Sequence, residues 1–165
     1  MTSAVYGQAD AFAIASGRRN DASWSGHDIK IVSPGGLPVK GYSGHSIEPH
    51  GSLAGAGDSN VVLIPPIFND IEQTLADETG LVARLASFPR DSTLLASRCT
   101  GAFLLAEAGL LNGRRVTTNP AFNDFFAPRY PGVRLALDAR IIDDNMVICD
   151  RATTVYLNLA VRGPV

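Results

Sequence analysis

Thr93-Leu94-Leu95-Ala96-Ser97 is a short apolar, β-prone run. It passes through Arg98-Cys99-Thr100-Gly101 straight into Ala102-Phe103-Leu104-Leu105-Ala106-Glu107-Ala108, a strong helix former. A strand that feeds a helix through so tight a turn is a nucleophile-elbow arrangement. It strains the apex residue and needs a small residue, Gly101, where the helix packs back on the strand. The apex side chain, Cys99, points beyond the carboxyl ends of the strands, where open α/β sheets bind ligands. The helix N-terminus favours a thiolate at Cys99, and the backbone N–H groups of Thr100 and Gly101 can hold an anion.

The remaining chain alternates in the same way. Tyr6 to Ala15 reads as a helix closed by Ser16-Gly17, preceded by too few residues for a full strand. Asp28 to Ser33 reads as a strand, Val39 to Tyr42 with the stretch near Ile47 as a small hairpin, and Gly51 to Gly57 as a loop. Val61-Val62-Leu63-Ile64 suits a strand buried on both faces and is stopped by Pro65-Pro66. Asp70 to Phe88 reads as helix with a break at Thr79-Gly80; Arg114 to Thr118 is a strand and Pro120 to Tyr130 an aromatic-rich helix. Further β-prone segments run from Val133 to Asp138 and from Arg140 to Ile142. Asp143-Asp144-Asn145 then turns a hairpin into Met146 to Cys149, and Thr153 to Val161 closes the chain as a helix. This order predicts one α/β domain with a mostly parallel sheet and helices on both faces.

Composition narrows the function. The chain has 165 residues, 45% hydrophobic and 18% charged, with a net charge of −2. That excludes a disordered chain and gives no electrostatic reason to bind nucleic acid. Two cysteines make no disulfide framework, so reduced, cytoplasmic thiols are expected. No signal peptide is evident, and no apolar run approaches the roughly 18 residues that span a bilayer. His27, His45 and His50 all lie in a Gly/Ser/Pro-rich region, none at a metal-ligand spacing from a cysteine. Cys149, inside an apolar run, reads as a small core hydrophobe. Cys99, flanked by Ser97, Thr100 and Gly101, reads as a functional position.

The run from Ser97 through Glu107-Ala108-Gly109-Leu110-Leu111-Asn112-Gly113-Arg114-Arg115-Val116-Thr117-Thr118 resembles the central signature of the ThiJ/PfpI superfamily. That superfamily has the class I glutamine amidotransferase-like fold, related to the flavodoxin-like three-layer sandwich. Within it the chain most resembles the N-terminal domain of AraC-type transcriptional regulators. Weaker agreement covers Gly7 to Ala15, Asp58 to Pro65 and Arg129-Tyr130-Pro131 to Asp143-Asp144. The resemblance implies a domain spanning residues 1–165 that lacks its first strand. It also implies a homodimer, and DNA binding only through a helix-turn-helix domain absent from these residues.

Four departures from the family's pattern stand out, the first three bearing on base, acid and oxyanion donor. A His-Trp pair commonly follows the Thr-Thr in these regulators, and here Asn119-Pro120 stands there. The acid of many relatives falls just before the first helix, where Thr2-Ser3-Ala4-Val5-Tyr6 carries no carboxylate. The Pro-Gly-Gly loop that commonly supplies an oxyanion-hole N–H reads Pro65-Pro66-Ile67, and Pro66 has no N–H. The family's Thr-Ser/Ala-Gly-Gly-like stretch near the C-terminus reads Cys149-Asp150-Arg151-Ala152-Thr153. The expectation is a catalytically inactive, ligand-sensing domain. Its small-molecule pocket is lined by Pro66, Ile67, Phe68, Cys99, Thr100, Gly101 and Asn119, with no cofactor and no metal. The alternatives are a cysteine-dependent hydratase, amidase or glyoxalase-like enzyme with Cys99 as nucleophile, or a redox sensor using the same thiol.

Overall fold

The structure is a computed structural model that describes residues 2–17, 28–68 and 70–151. It divides into two compact units, the described part of one ending at Ser52 and the other beginning at Leu53. The division falls inside the Gly51–Gly57 stretch, which composition marks only as a loop.

The first unit opens on helix α1 (Thr2–Gly17). It begins four residues before the expected start, because Ala4, Gln8 and Ala11 fall at helical spacing and are buried. Strand β1 (Val32–Ser33) is shorter than the Asp28–Ser33 run predicted. The reason lies at Ile31, whose N–H is donated to Nδ1 of His50 (2.9 Å) in place of a strand carbonyl. Strands β2 (Val39–Lys40) and β3 (Ser46–Ile47) form the expected antiparallel hairpin. Strand β4 (Gly51–Ser52) pairs parallel with β1, where a loop was expected. Backbone pairing needs no side chain, so two small residues hide it from a pattern reading.

The second unit carries the elbow. After a 3₁₀ turn at Leu53–Ala56, strand β5 (Val61–Ile64) runs as expected. Helix α2 (Ile71–Asp77) is capped by Asp70, whose Oδ1 accepts from the Gln73 N–H at 3.1 Å. The break falls at Glu78, and helix α3 (Thr79–Ala86) follows, burying Leu85. Strand β6 (Leu94–Arg98) leads through the 3₁₀ turn Cys99–Gly101 into helix α4 (Ala102–Glu107), which is buried from Ala102 to Ala106. A helix apolar all round belongs at the centre of a unit. Strand β7 (Arg115–Val116), the turn Pro120–Phe122 and helix α5 (Asn123–Arg129) come next. Then come β8 (Arg134–Leu135), β9 (Ile141–Asp143) and β10 (Val147–Asp150). The expected helix at Thr153–Val161 lies outside the described residues.

The main sheet has the order β5-β6-β10-β9. β5, β6 and β10 are parallel, and β9 is antiparallel to β10. This is the mainly parallel α/β arrangement of the flavodoxin-like class. β7 and β8 form a separate parallel pair. Phe103 anchors α4 against α5: its ring meets Phe126 edge-on at 4.9 Å and stacks on Phe125 at 5.6 Å. The β9–β10 hairpin turns on Asn145 (φ 44°) and Met146 (φ 65°), the two positive-φ residues of a primed turn. Arg114 donates from Nη1 to the Asp144 carbonyl (2.7 Å) and to the Asn145 carbonyl, and the Arg115 N–H donates to Asp144 Oδ2 at 2.6 Å. Among the described residues no helix is long and apolar enough to cross a membrane.

Candidate functional site

β6 ends in extended backbone at Arg98 (φ −114°, ψ 129°), and the next residue, Cys99, has φ 53°. A non-glycine residue in that left-handed region costs about 1–2 kcal/mol, so its surroundings must hold it there. Three contacts do so. Thr118 Oγ1 donates to the Cys99 carbonyl at 2.8 Å. Thr100 Oγ1 donates to the Ile67 carbonyl at 2.7 Å. At Gly101 a Cβ would sit 2.7 Å from the Pro65 carbonyl oxygen and 2.8 Å from that of Ile64. Both obstacles are backbone and cannot move aside, so the helix can start here only on glycine.

The fold thereby brings Ile67, Cys99, Thr100 and Gly101 together, with Pro66 buried beside Ile67. Phe68 follows and is partly exposed. Asn119 is placed next to Thr118, but its Oδ1 accepts from the Ala121 N–H at 3.1 Å and caps the Pro120–Phe122 turn. Its acceptor is thus committed to local structure. The elbow is closed to solvent: Cys99 exposes 3% of its surface and Thr100 2%.

No histidine occurs between Leu53 and Thr153, the unit that holds the elbow. His45 and His50 belong to the other unit, and His27 lies outside the described residues. Cys149 is fully buried and accepts from Ser97 Oγ at 3.2 Å. Burial pushes its thiol up to about 11 against a lowering by the Ser97 hydroxyl.

Sequence reasoning missed a pair beside the apex. Arg98 and Asp150 are register partners on β6 and β10, both side chains are 0% exposed, and Arg98 Nε lies 3.5 Å from Asp150 Oδ2. A signal existed: each is the charged last residue of an otherwise apolar run, and buried charges are paired. A shallow groove of about 540 Å³ lies elsewhere, at the far end of α4, lined by residues that include Glu107, Asn112, Arg129 and Tyr130. There Tyr130 donates to Glu107 Oε2 at 2.6 Å, and Arg129 Nη2 lies 3.2 Å from the same oxygen. Burial raises the Tyr130 hydroxyl above its ordinary value, and the Glu107 carboxylate adds to that.

The chain resembles known proteins along most of its length. The HTH-type transcriptional regulator CdhR of Pseudomonas aeruginosa is 30% identical over 113 residues, covering 68% of this chain and 33% of the relative. The chain thus spans about a third of that relative's length. A protein of Vibrio parahaemolyticus described as a transcriptional regulator superposes with a TM-score of 0.82 at 19% identity, over 98% of this chain and 85% of its own. An AraC family transcriptional regulator from Pseudomonas putida gives 0.66 at 16%, over 96% and 82%. At those identities the two structures speak for the fold alone. The DJ-1/PfpI family profile matches residues 7–161, taking in the elbow and the strands that frame it, and the chain belongs to that family.

Proposed function

We propose that this chain is the ligand-sensing and dimerising domain of an AraC-type transcriptional regulator, working in the cytoplasm and catalytically inactive. The observation that carries the reading is the 30% identity with an HTH-type transcriptional regulator over 68% of the chain. DNA would be reached through a helix-turn-helix domain outside these residues. Pro66, Ile67, Phe68, Cys99, Thr100, Gly101 and Asn119 form the face that meets a small molecule. The chemistry of the elbow supports inactivity. A thiol needs a base or a charged partner to become a nucleophile. In the sequence, Asn119 stands where such regulators commonly carry a histidine, and Pro66, in the loop that commonly supplies an oxyanion-hole donor, has no N–H.

Native mass spectrometry of the chain, purified without denaturant, tests this. The expected result is a dimer mass and, on a fraction of it, a small-molecule adduct that Phe68→Ala, at the exposed member of that face, weakens. A monomer without adduct, together with hydrolysis of p-nitrophenyl acetate that Cys99→Ser abolishes, would overturn it. The second reading, a cysteine-dependent enzyme, draws on the backbone of Cys99, whose φ of 53° is that of an elbow nucleophile.

A further inference from the structure

We infer that Arg98 and Asp150 are positioning residues that set the backbone of the elbow, tying the ends of β6 and β10 together immediately before Cys99. The inference holds whether Cys99 lines a ligand pocket or reacts.

Strain at Cys99 persists only where the surroundings over-determine it. Thr118 holds the apex carbonyl, and Thr100 with Gly101 holds the segment after it against Ile64 to Ile67. The residue before the apex is Arg98, and its charged contact reaches the opposite neighbour, β10. The apex is thus fixed from both sides, by β5 through Gly101 and by β10 through Arg98. Ser97 and Cys149, one register step earlier, bridge the same two strands through the weaker hydroxyl-to-sulfur bond.

Stability alone is a poor reason for such a pair. Two charges removed from water regain little, and apolar residues of similar volume often replace them at no cost. What the pair adds is registration: the attraction is strongest when β6 and β10 lie in the register that sets Arg98 opposite Asp150, a preference that two apolar side chains lack.

The test compares Arg98→Leu, Asp150→Leu and the double variant in the whole chain. Each single variant removes one member of a fully buried ion pair and should melt roughly 10 °C or more below the parent. The double variant should recover most of that loss. Its Cys99 should nevertheless be alkylated by iodoacetamide about tenfold faster than in the parent, as a looser elbow opens more often. Peptide mapping separates Cys99 from Cys149, which should stay as slow as before. A double variant that protects Cys99 as the parent does makes the pair merely structural and overturns the inference. Single variants that melt with the parent overturn it too, as does a double variant that cannot fold. If a single variant fails to fold, the labelling of the double variant decides.

Discussion

Cys99 directly follows one strand of the main sheet and Cys149 sits on its neighbour, and both are buried, yet the backbone treats them in opposite ways. Cys149 lies mid-strand in regular register opposite Ser97, and its sulfur accepts that hydroxyl. Cys99 lies one step past the end of β6 with φ 53°, held by a hydroxyl on its carbonyl and by the closeness of Gly101 to β5. The first position demands a small, apolar side chain and little else. The second demands a conformation, and the Thr118 and Thr100 hydroxyls with the close approach of Gly101 to β5 maintain it. The pair teaches that a cysteine's role in this sheet is set by where its backbone leaves the ladder rather than by burial.

The largest effect should come from attacking that conformation. Gly101→Ala places a Cβ against two backbone carbonyls, and the unit should lose about 3 kcal/mol, read as a lower urea midpoint. A variant as stable as the parent would mean that the elbow yields without cost, and the contrast between the cysteines would collapse.

The next effect belongs to Cys149 alone. Its thiol keeps its proton up to about 11, whereas in the unfolded chain it ionises near its ordinary value of 9.0. The unfolded state therefore binds fewer protons between those values, and stability falls as the pH rises through them. The contribution is whole below about pH 9 and shrinks by about 2–3 kcal/mol towards pH 11. Urea midpoints at pH 8 and pH 11 should show this drop in the parent and a smaller one in Cys149→Ala. An equal drop in both would place the alkaline sensitivity elsewhere.

Thr118→Val preserves shape and removes the hydroxyl on the Cys99 carbonyl, at a cost of about 1–2 kcal/mol. Iodoacetamide should label Cys99 faster in this variant and leave Cys149 unchanged; equal acceleration at both would show that the whole sheet had loosened. The smallest effect is expected at the far end of α4. Glu107→Gln weakens the contacts to Arg129 and Tyr130, which are partly exposed, and should cost less than about 1 kcal/mol and alter neither labelling rate.

The elbow was legible in the sequence because its demands are local: an apolar run, a small residue two places after the apex, and a helix former directly behind. β5, the two-part helical region after Asp70 and the β9–β10 hairpin were legible for the same reason. What stayed hidden depends on partners far along the chain. β4 has no side-chain pattern and exists through β1, and β1 stops short because His50 takes the Ile31 amide. The apolar runs that end on Arg98 and Asp150 mark each as a buried charge in need of a partner, but 52 residues separate the two and it is the strand register that joins them. Asn119 reads as pocket lining, but its side chain is also the cap of the turn that follows.

The Arg114 clasp on the Asp144–Met146 turn has a consequence for engineering this chain. The turn joins β9 to β10, and strand side chains alternate faces, so its length determines which residue of β9 meets each residue of β10. One residue added to or removed from it would slip the buried Ile142 from its place opposite Cys149 and turn its side chain to the other face of the sheet. Tags, fusions and grafted loops belong in the exposed β2–β3 hairpin, where a change in length moves no strand of the main sheet.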